Sequence, residues 1–327
     1  MPVLRSTSGL VHAVLLDGRG GGELLDWPGL ARWRPTDGLV WVDLDYRAPD
    51  AERWLGLEAN LAPPTRQALV ADDPRPRAEV RGDGLLLISR GINVNAGAEP
   101  EDMVSMRAWI EPGRIITLRH RRVTALHTLG EQIAAGAGPS APGEFVAALI
   151  DEILAPVSTL VDEIDDQVAL LEDAVLGHHV DGPRGKIADL RRRAIAVRRF
   201  IGPQREALAR LATAAVPWLT EADRVRLRDA AERQTRTVEE LDAARDRAAV
   251  THEELAARTD ELANRRLYVL SLVTAVFLPL SFITGLLGVN VGGVPAQGTP
   301  WAFWVLCGLL GATTLGQLWL LRRLRWL

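Results

Sequence analysis

The feature that most constrains this chain is a long uncharged stretch close to its carboxyl end. From Leu267 to Leu321 there are 55 consecutive residues without Asp, Glu, Lys, Arg or His. A helix of about 20 apolar residues crosses a hydrocarbon core of about 30 Å. The stretch therefore predicts a transmembrane hairpin. Its predicted parts are two spans at about 267–288 and 301–321 and a loop at 289–300.

Basic residues flank this hairpin and are absent from its connecting loop. They are Arg265, Arg266, Arg322, Arg323 and Arg325. Lys and Arg are enriched in the cytoplasmic segments next to membrane spans. The pattern predicts a two-span protein of the bacterial inner or plasma membrane, with both termini in the cytoplasm and the loop outside.

Composition and motifs exclude several classes of function. The net charge of −4 and the lack of basic runs give no basic surface for nucleic acid. The one cysteine, Cys307, is predicted to be a small buried residue of the second span, and it forms no disulfide framework within one chain. Met1–Gly9 has no signal-peptide pattern. No nucleophile with a base, metal triad or cofactor loop is recognisable, so neither an enzyme nor a cofactor is expected.

The amino-terminal part, 1–142, mixes short strand patterns with helical ones. Predicted strands are Val11–Leu16, Leu39–Leu44, Leu85–Ile92, Met106–Ile110 and Ile115–Arg119. Predicted helices are Ala51–Leu55, Pro64–Val70 and Val123–Ala134. Turn residues such as Arg81-Gly82-Asp83-Gly84 separate the strands. The pattern predicts an α+β cytoplasmic domain.

Helical periodicity replaces the strand patterns in residues 143–266. One long helix is predicted to end near Gly177, and a second begins after Pro183 and stops around Pro217. A third begins at Thr220 and has no Pro or Gly before Pro279, so it is expected to run into the first span. The predicted fold is thus a cytoplasmic domain, long stalk helices at 143–266 and a two-helix C-terminal transmembrane hairpin at 267–327.

The third helix carries two stripes with a seven-residue interval. The apolar stripe consists of Leu241, Ala248, Leu255 and Leu262. The acidic stripe consists of Glu239, Asp246, Glu253 and Asp260. The two stripes lie two positions apart, which is about 200° around a helix. The apolar stripe is expected to pack against other helices, while the acidic one faces either water or a partner subunit.

The first span has a stripe of polar and small residues. Its members, at steps of three and four, are Ser271, Thr274, Leu278, Ser281, Gly285 and Gly288, and Asn264 lies one heptad before Ser271. Small residues permit close helix packing, whereas polar ones line a water-filled pathway. Asn264 favours the pathway, because an amide at the membrane edge binds a hydrated ion. One hairpin cannot enclose a pore, so a pathway requires several copies around an axis.

The end of the first span resembles a known family of transporters. Gly288-Val289-Asn290 is similar to the Gly-Met-Asn signature of the CorA superfamily, and the run Phe277–Pro295 resembles its ZntB zinc-transporter branch. Further segments with this resemblance are Leu16–Gly21, Arg75-Pro76-Arg77, Arg198-Arg199-Phe200, Pro203-Gln204-Arg205 and Pro217-Trp218.

The resemblance implies a funnel-shaped homopentamer whose first spans line a central pore. Gly288, Val289 and Asn290 would form the selectivity motif, with the Asn290 carbonyl oxygens meeting a hydrated cation. Asn264 would form an inner polar ring and Leu278 a hydrophobic constriction. The water-binding levels between them would be Ser271, Thr274 and Ser281. Five acidic stripes would coat a vestibule that concentrates cations, which is the alternative to a solvated surface.

The resemblance also implies the transported ion. The cargo expected is Zn²⁺, with Cd²⁺, Ni²⁺, Co²⁺ and Mg²⁺ as alternatives. The loop Val291–Pro300 has no acidic residue, and Arg265 and Arg266 add positive charge near the inner mouth. These departures from the magnesium branch favour a slow, coupled transporter, and the resemblance to the zinc branch implies proton-coupled zinc uptake. A CorA-type magnesium or broad divalent-cation channel is the alternative within the class, and a membrane-tethered scaffold or sensor is the alternative outside it.

A histidine pair is a second candidate metal site. His178 and His179, followed by Asp181, lie next to Gly177 at a predicted helix end, where a regulatory zinc ion could bind. Adjacent side chains on a helix point in different directions, so chelation by both imidazoles does not follow from the sequence.

Overall fold

The computed structural model describes residues 9–177, 183–289 and 299–324. Residue contacts divide the chain into two units, Met1–His252 and Glu253–Leu327. The boundary between them falls inside the longest helix, which spans Glu221–Leu287.

The first unit contains a mixed seven-stranded sheet. Its strands are β1 (Leu10–Leu16), β2 (Gly22–Leu24), β3 (Val40–Asp45), β4 (Arg77–Arg81), β5 (Gly84–Gly91), β6 (Val104–Glu111) and β7 (Arg114–Arg119). Their order is β2-β1-β3-β7-β6-β5-β4. β3 and β7 pair in parallel, with Val40 opposite Arg114, while the other neighbours are antiparallel. The carboxyl ends of β3, β5 and β7 therefore lie at one edge of the sheet, together with the amino end of β6.

The central strands are buried on both faces, because successive side chains alternate between two cores. Leu85 and Leu87 of β5 belong to one apolar cluster, and Leu86 and Ile88 belong to the other. Short helices cover the second face, at α1 (Trp27–Arg32), α2 (Pro49–Leu57) and α3 (Pro63–Val70). The first face packs against α4 (Thr124–Ala134) and the start of α5 (Pro142–Leu176).

Long helices follow the sheet. After α5 come α6 (Pro183–Ala212) and α7 (Glu221–Leu287), and the last helix is α8 (Ala302–Arg323). Val157 and Ile164 of α5 pack with Val197 of α6 and Leu241 of α7 in a third apolar cluster. The ion pair of Arg198 Nε with Asp242 Oδ1, at 2.9 Å, also joins α6 to α7.

The structure confirms the predicted strands and helices and adds elements that the sequence pattern did not reveal. β2 has three exposed residues and β4 reads Arg-Ala-Glu-Val-Arg, so neither shows an apolar run. The short helix α1 was also missed. α6 ends at Ala212, before the predicted stop around Pro217, and it continues through Pro203.

Several residues that carry the family resemblance join α6 and the segment after it to the sheet. The buried Gln204 Oε1 accepts hydrogen bonds from Ser89 Oγ at 3.0 Å and from Arg90 N at 2.9 Å. The Arg90 guanidinium lies 4.3 Å from the centre of the Phe200 ring. Trp218 Nε1 donates to Asp83 O at 2.8 Å. These residues have structural roles in the first unit.

Candidate functional site

The second unit exposes almost all of its apolar side chains. Phe277 is 62% exposed, Leu278 66% and Trp304 74%. The apolar part of α7 and the helix α8 are both long and apolar enough to cross a membrane. Exposed apolar surface on this scale requires a lipid bilayer or other chains to cover it.

One face of α7 in this unit carries mostly polar or small residues, and its large apolar positions are Leu267 and Leu278. Starting from Glu253, steps of four and three residues lead through Asp260, Asn264 and the predicted pore positions to Gly288. Those positions are Ser271, Thr274, Leu278, Ser281 and Gly285. Every one of them is exposed, as are Ala257 and Leu267 on the same line. The structure thus places Asn264 and the predicted pore residues on a single helix face that has no cover within the described chain.

The chemistry of this face suits contact with water. The Thr274 hydroxyl donates to Leu270 O at 2.9 Å, so its oxygen presents only lone pairs outward. A Cβ added at Gly285 would meet no other atom within 4 Å, so no side chain of the described residues packs against the helix at this position. Pro279 lies inside α7 and leaves the Ala275 carbonyl without its usual helical donor.

Acidic residues of the same line precede the apolar segment. Glu253 and Asp260 are exposed, and neither has an ion-pair partner within 4.0 Å in the described ranges. The nearby Glu254 lies off this line and pairs with Arg258 at 2.6 Å. The line therefore keeps unneutralised carboxylates at its amino-terminal end.

The first unit contains the remaining members of both stripes. Leu241 and Ala248 are buried and Glu239 and Asp246 are exposed, as the spacing predicted. Asp246 pairs with Arg245 at 2.8 Å, and this hydrogen bond and charge raise the pKa of Arg245.

The apolar stripe differs at its two positions in the second unit. Leu255 is buried, but Leu262 is 52% exposed. Burial of the stripe within one chain therefore ends before the span begins.

Three predicted site residues, Asn290, His178 and His179, lie outside the described residues. Val289 lies inside them and is exposed. No group of three or more His, Cys, Asp or Glu side chains that could hold a metal ion occurs within the described ranges. Two of the other histidines approach a carboxylate, His120 at 3.4 Å from Asp45 and His127 at 3.5 Å from Glu131.

A family of known proteins matches most of this chain. Residues 36–323 match the family described as CorA-like Mg²⁺ transporter protein. The chain belongs to this CorA-like family. The match confirms the resemblance drawn from the Gly-Val-Asn motif, and it includes both membrane-span candidates.

Individual CorA-family members are similar over nearly the whole chain. The divalent cation transporter CmaX of Pseudomonas aeruginosa is 38% identical over 323 residues, which are 98% of this chain and 97% of that protein. The zinc transport protein ZntB of Pectobacterium carotovorum is 35% identical over 320 residues, with coverages of 98% and 97%. The solved structure of full-length CmaX superimposes with a TM-score of 0.87 at 37% identity and covers 98% of each chain. This likeness confirms the predicted fold class of an α+β domain, long helices and a carboxyl-terminal apolar helix.

Proposed function

We propose that this CorA-family protein carries divalent metal cations, Zn²⁺ above all, across the membrane and into the cell. The observation that carries the proposal is the exposed face of mostly polar or small residues on α7 between Asn264 and Gly288, in a helix segment that is largely apolar after Arg266. Serine and threonine hydroxyls facing lipid would lose their hydrogen bonds to water. An ion pathway gives the face water and cations to contact.

A pathway along this face requires several copies of the chain. One helix offers one wall, and closed rings of identical subunits are the common way to surround an axis. We propose a homopentamer in which five copies of α7 line the pore. In it Asn290, following Gly288 and Val289, forms the outer ring, Asn264 the inner ring and Leu278 the hydrophobic constriction.

The proposed pore offers oxygen atoms and no imidazole or thiolate. Between Asn264 and Gly288 the lining residues are hydroxyl, apolar or glycine positions. Tight zinc sites in proteins use His nitrogen or Cys sulfur. The ion is therefore proposed to pass with much of its water shell, and Asn290 contacts a hydrated ion. The names of the ZntB relatives support zinc as the cargo, while Cd²⁺, Ni²⁺, Co²⁺ and Mg²⁺ remain competitors.

The acidic stripe is proposed to coat the cytoplasmic vestibule of this pore. Glu253 and Asp260 occupy the same line as Asn264 and have no neutralising partner in the described ranges. Carboxylates lining a confined channel raise the local concentration of cations. Glu239 and Asp246 would extend this row of carboxylates. The ion pair with Arg245 partly neutralises Asp246, so its attraction for cations is the weaker.

The proposed topology follows from charge. Residues 1–142 and 143–266 lie in the cytoplasm and 267–327 forms the hairpin, with the loop 289–300 outside and both termini inside. The membrane is the bacterial inner or plasma membrane.

Zinc transport is proposed to be coupled to the proton gradient. The charge-free run 267–321 holds no carboxylate, histidine or lysine that could relay a proton. A proton path must therefore use water in the pore and the cytosolic carboxylates. The absence of acidic residues in the outer loop also removes one means of capturing cations, so a driving gradient is expected to matter.

The test is uptake into proteoliposomes that contain the purified protein and a zinc-sensitive dye. Zinc uptake should rise with an inward proton gradient and fall at least about tenfold in Asn290→Ala, because the variant lacks the amide at the selectivity ring. The matched control is Gln297→Ala, which removes an amide from the same loop outside the Gly-Val-Asn motif and should leave uptake unchanged.

Other results would select the alternatives. Magnesium flux that ignores the proton gradient would support a CorA-type channel. Absence of flux for every divalent cation would support a tethered scaffold or sensor.

The same assay tests the vestibule. Asp260→Asn should slow uptake at low ionic strength, and the effect should shrink in high salt because ions screen the carboxylate. Glu261→Gln removes a charge from the adjacent position, which is also exposed but lies off the polar line, and should have the smaller effect. Equal effects of the two substitutions would count against a vestibule.

A further inference from the structure

A cavity of about 340 Å³ opens in the first unit, and none of its lining residues belongs to the proposed ion pathway. It lies at the sheet edge where β3, β5 and β7 end and β6 begins, and α/β proteins often bind ligands outside the carboxyl ends of their strands. The residues that matter here are Tyr46, Arg47, Arg90, Arg107, His120 and Arg121. Its volume is within the range of small-molecule sites, about 300–1,000 Å³.

Positive charge predominates in this cavity. Four arginines line it, against one carboxylate, Asp73, among the described residues. Asp73 is already engaged, because it pairs with Arg90 and lies 3.6 Å from Arg199. Asp72 approaches Arg47 only to 3.9 Å and is almost fully exposed. The carboxylates present therefore do not neutralise the cavity.

The excess of positive charge is most costly at Arg107, because this residue is buried. It is 3% exposed, and Nη2 donates to Ala71 O at 2.9 Å. Its guanidinium lies 4.4 Å from the centre of the Tyr46 ring. Nε has no partner, and no carboxylate lies within 4.0 Å of this arginine in the described ranges. Buried arginines are almost always paired with an anion, because an unpaired buried charge is costly.

Two further residues that line the cavity have polar groups without a partner in the described part of the chain. Ser105 Oγ is buried and makes no hydrogen bond in the described part of the chain. Arg121 is exposed at the cavity and has no ion pair there. Ser105 and Arg107 lie two residues apart on β6 and therefore project from the same face of the sheet. Guanidinium groups at the lining of one cavity, with a hydroxyl residue among them, are the donors that bind phosphate oxygens.

We propose that this cavity binds a small phosphate-bearing anion in the cytoplasm. The phosphate supplies the negative charge that Arg107 lacks and accepts hydrogen bonds from Arg107, Arg121 and Ser105. Two arginines, Arg107 and Arg47, already lie over the Tyr46 ring. The site therefore recognises the phosphate group, and base stacking on that ring has no part in binding. This proposal does not depend on the transported ion.

Calorimetric titration of the full-length protein in detergent tests the site. The probes are inorganic phosphate, AMP and ATP, each with a chelator to exclude metal effects, and their affinities distinguish free phosphate from a nucleotide phosphate. Arg121→Ala should weaken binding of the best probe about tenfold, because one charge-assisted hydrogen bond is lost. Arg122→Ala is the matched control, since Arg122 is the exposed neighbour that does not line the cavity, and it should bind like the wild type.

A second variant tests the buried charge. Arg107→Met keeps the length of the side chain and removes the charge, so the ligand-induced rise in melting temperature should disappear. Without ligand this variant should melt at or above the wild-type temperature, because an unpaired buried charge is gone. If Arg107→Met does not fold, the pair Arg121→Ala and Arg122→Ala decides alone. Three results would overturn the proposal: no binding of any probe at millimolar concentration, equal weakening by Arg121→Ala and Arg122→Ala, or wild-type binding by Arg107→Met.

Discussion

The two units of this chain differ in how deeply they bury the same kinds of side chain. In the first unit Phe145 is fully buried, and its ring packs at a tilt against that of Trp41, at 5.2 Å between ring centres. In the second unit Phe277 is 62% exposed. A unit that buries its core side chains within one chain needs no further partner to cover them. A unit that exposes its apolar side chains needs a bilayer or further copies to cover them.

Polar groups show the same difference. In the first unit the fully buried Asp43 accepts hydrogen bonds from Thr117 Oγ1 and Arg119 Nε, both at 2.8 Å, so its charge is satisfied internally. In the second unit Asn264, Ser271 and Asp260 are exposed without such partners in the described ranges. The comparison teaches that structural polar residues are found where partners converge, and candidate functional ones where partners are missing.

The largest effect that tests this comparison is expected from paired phenylalanine substitutions. Phe145→Ala should lower the free energy of unfolding by about 3–5 kcal/mol, because it leaves a cavity beside Trp41. Phe277→Ala should change it by less than about 0.5 kcal/mol if lipid covers this side chain. Denaturant unfolding of the detergent-solubilised protein, followed by circular dichroism, measures both. A large loss for Phe277→Ala would break the comparison and show that Phe277 packs between copies.

A smaller effect is expected at the junction between α6 and the sheet. Gln204→Met removes the acceptor of the Ser89 hydroxyl and the Arg90 amide and leaves both donors buried. The loss should be about 1–3 kcal/mol, since unsatisfied buried donors are costly. The exposed Gln167 is the control, and Gln167→Met should change stability by less than about 0.5 kcal/mol. Equal losses would contradict a structural role specific to Gln204.

The smallest effect concerns pH. His12 stacks on Trp41 at 5.5 Å, and burial lowers its pKa, with Asp43 opposing and Arg119 adding to the shift. The unfolded chain then binds more protons between the folded value and 6.5. Stability should therefore be full above pH 6.5, decrease as the pH falls below it and level off below the folded pKa.

The contribution of His12 should be less than about 1 kcal/mol, because the ring is only partly buried. His12→Phe keeps the stack and should remove this part of the pH dependence, measured by melting temperature from pH 5 to 8. His120→Gln alters an exposed histidine and should retain it. A pH profile unchanged in His12→Phe would exclude His12 as its source.

Much of the fold could be predicted because it depends on local periodicity. The apolar run after Leu267, the helical spacing of α5 to α7 and the alternation in β5 are readable within one segment. β2 and β4 could not be predicted, because their residues are exposed or charged and form strands only through pairing with β1 and β5. Likewise, no local pattern shows that β3 and β7 pair in parallel across more than sixty intervening residues.

The candidate site divides in the same way. The sequence by itself determined the line from Glu253 to Gly288, because all of its members belong to one helix and their relative positions follow from its pitch. Only the tertiary structure decided that Gln204 is a structural junction and that Arg107 lies buried at the same cavity as Arg121, with no carboxylate partner among the described residues. These residues come from separate elements, and their surroundings depend on long-range packing that spacing along the chain does not encode.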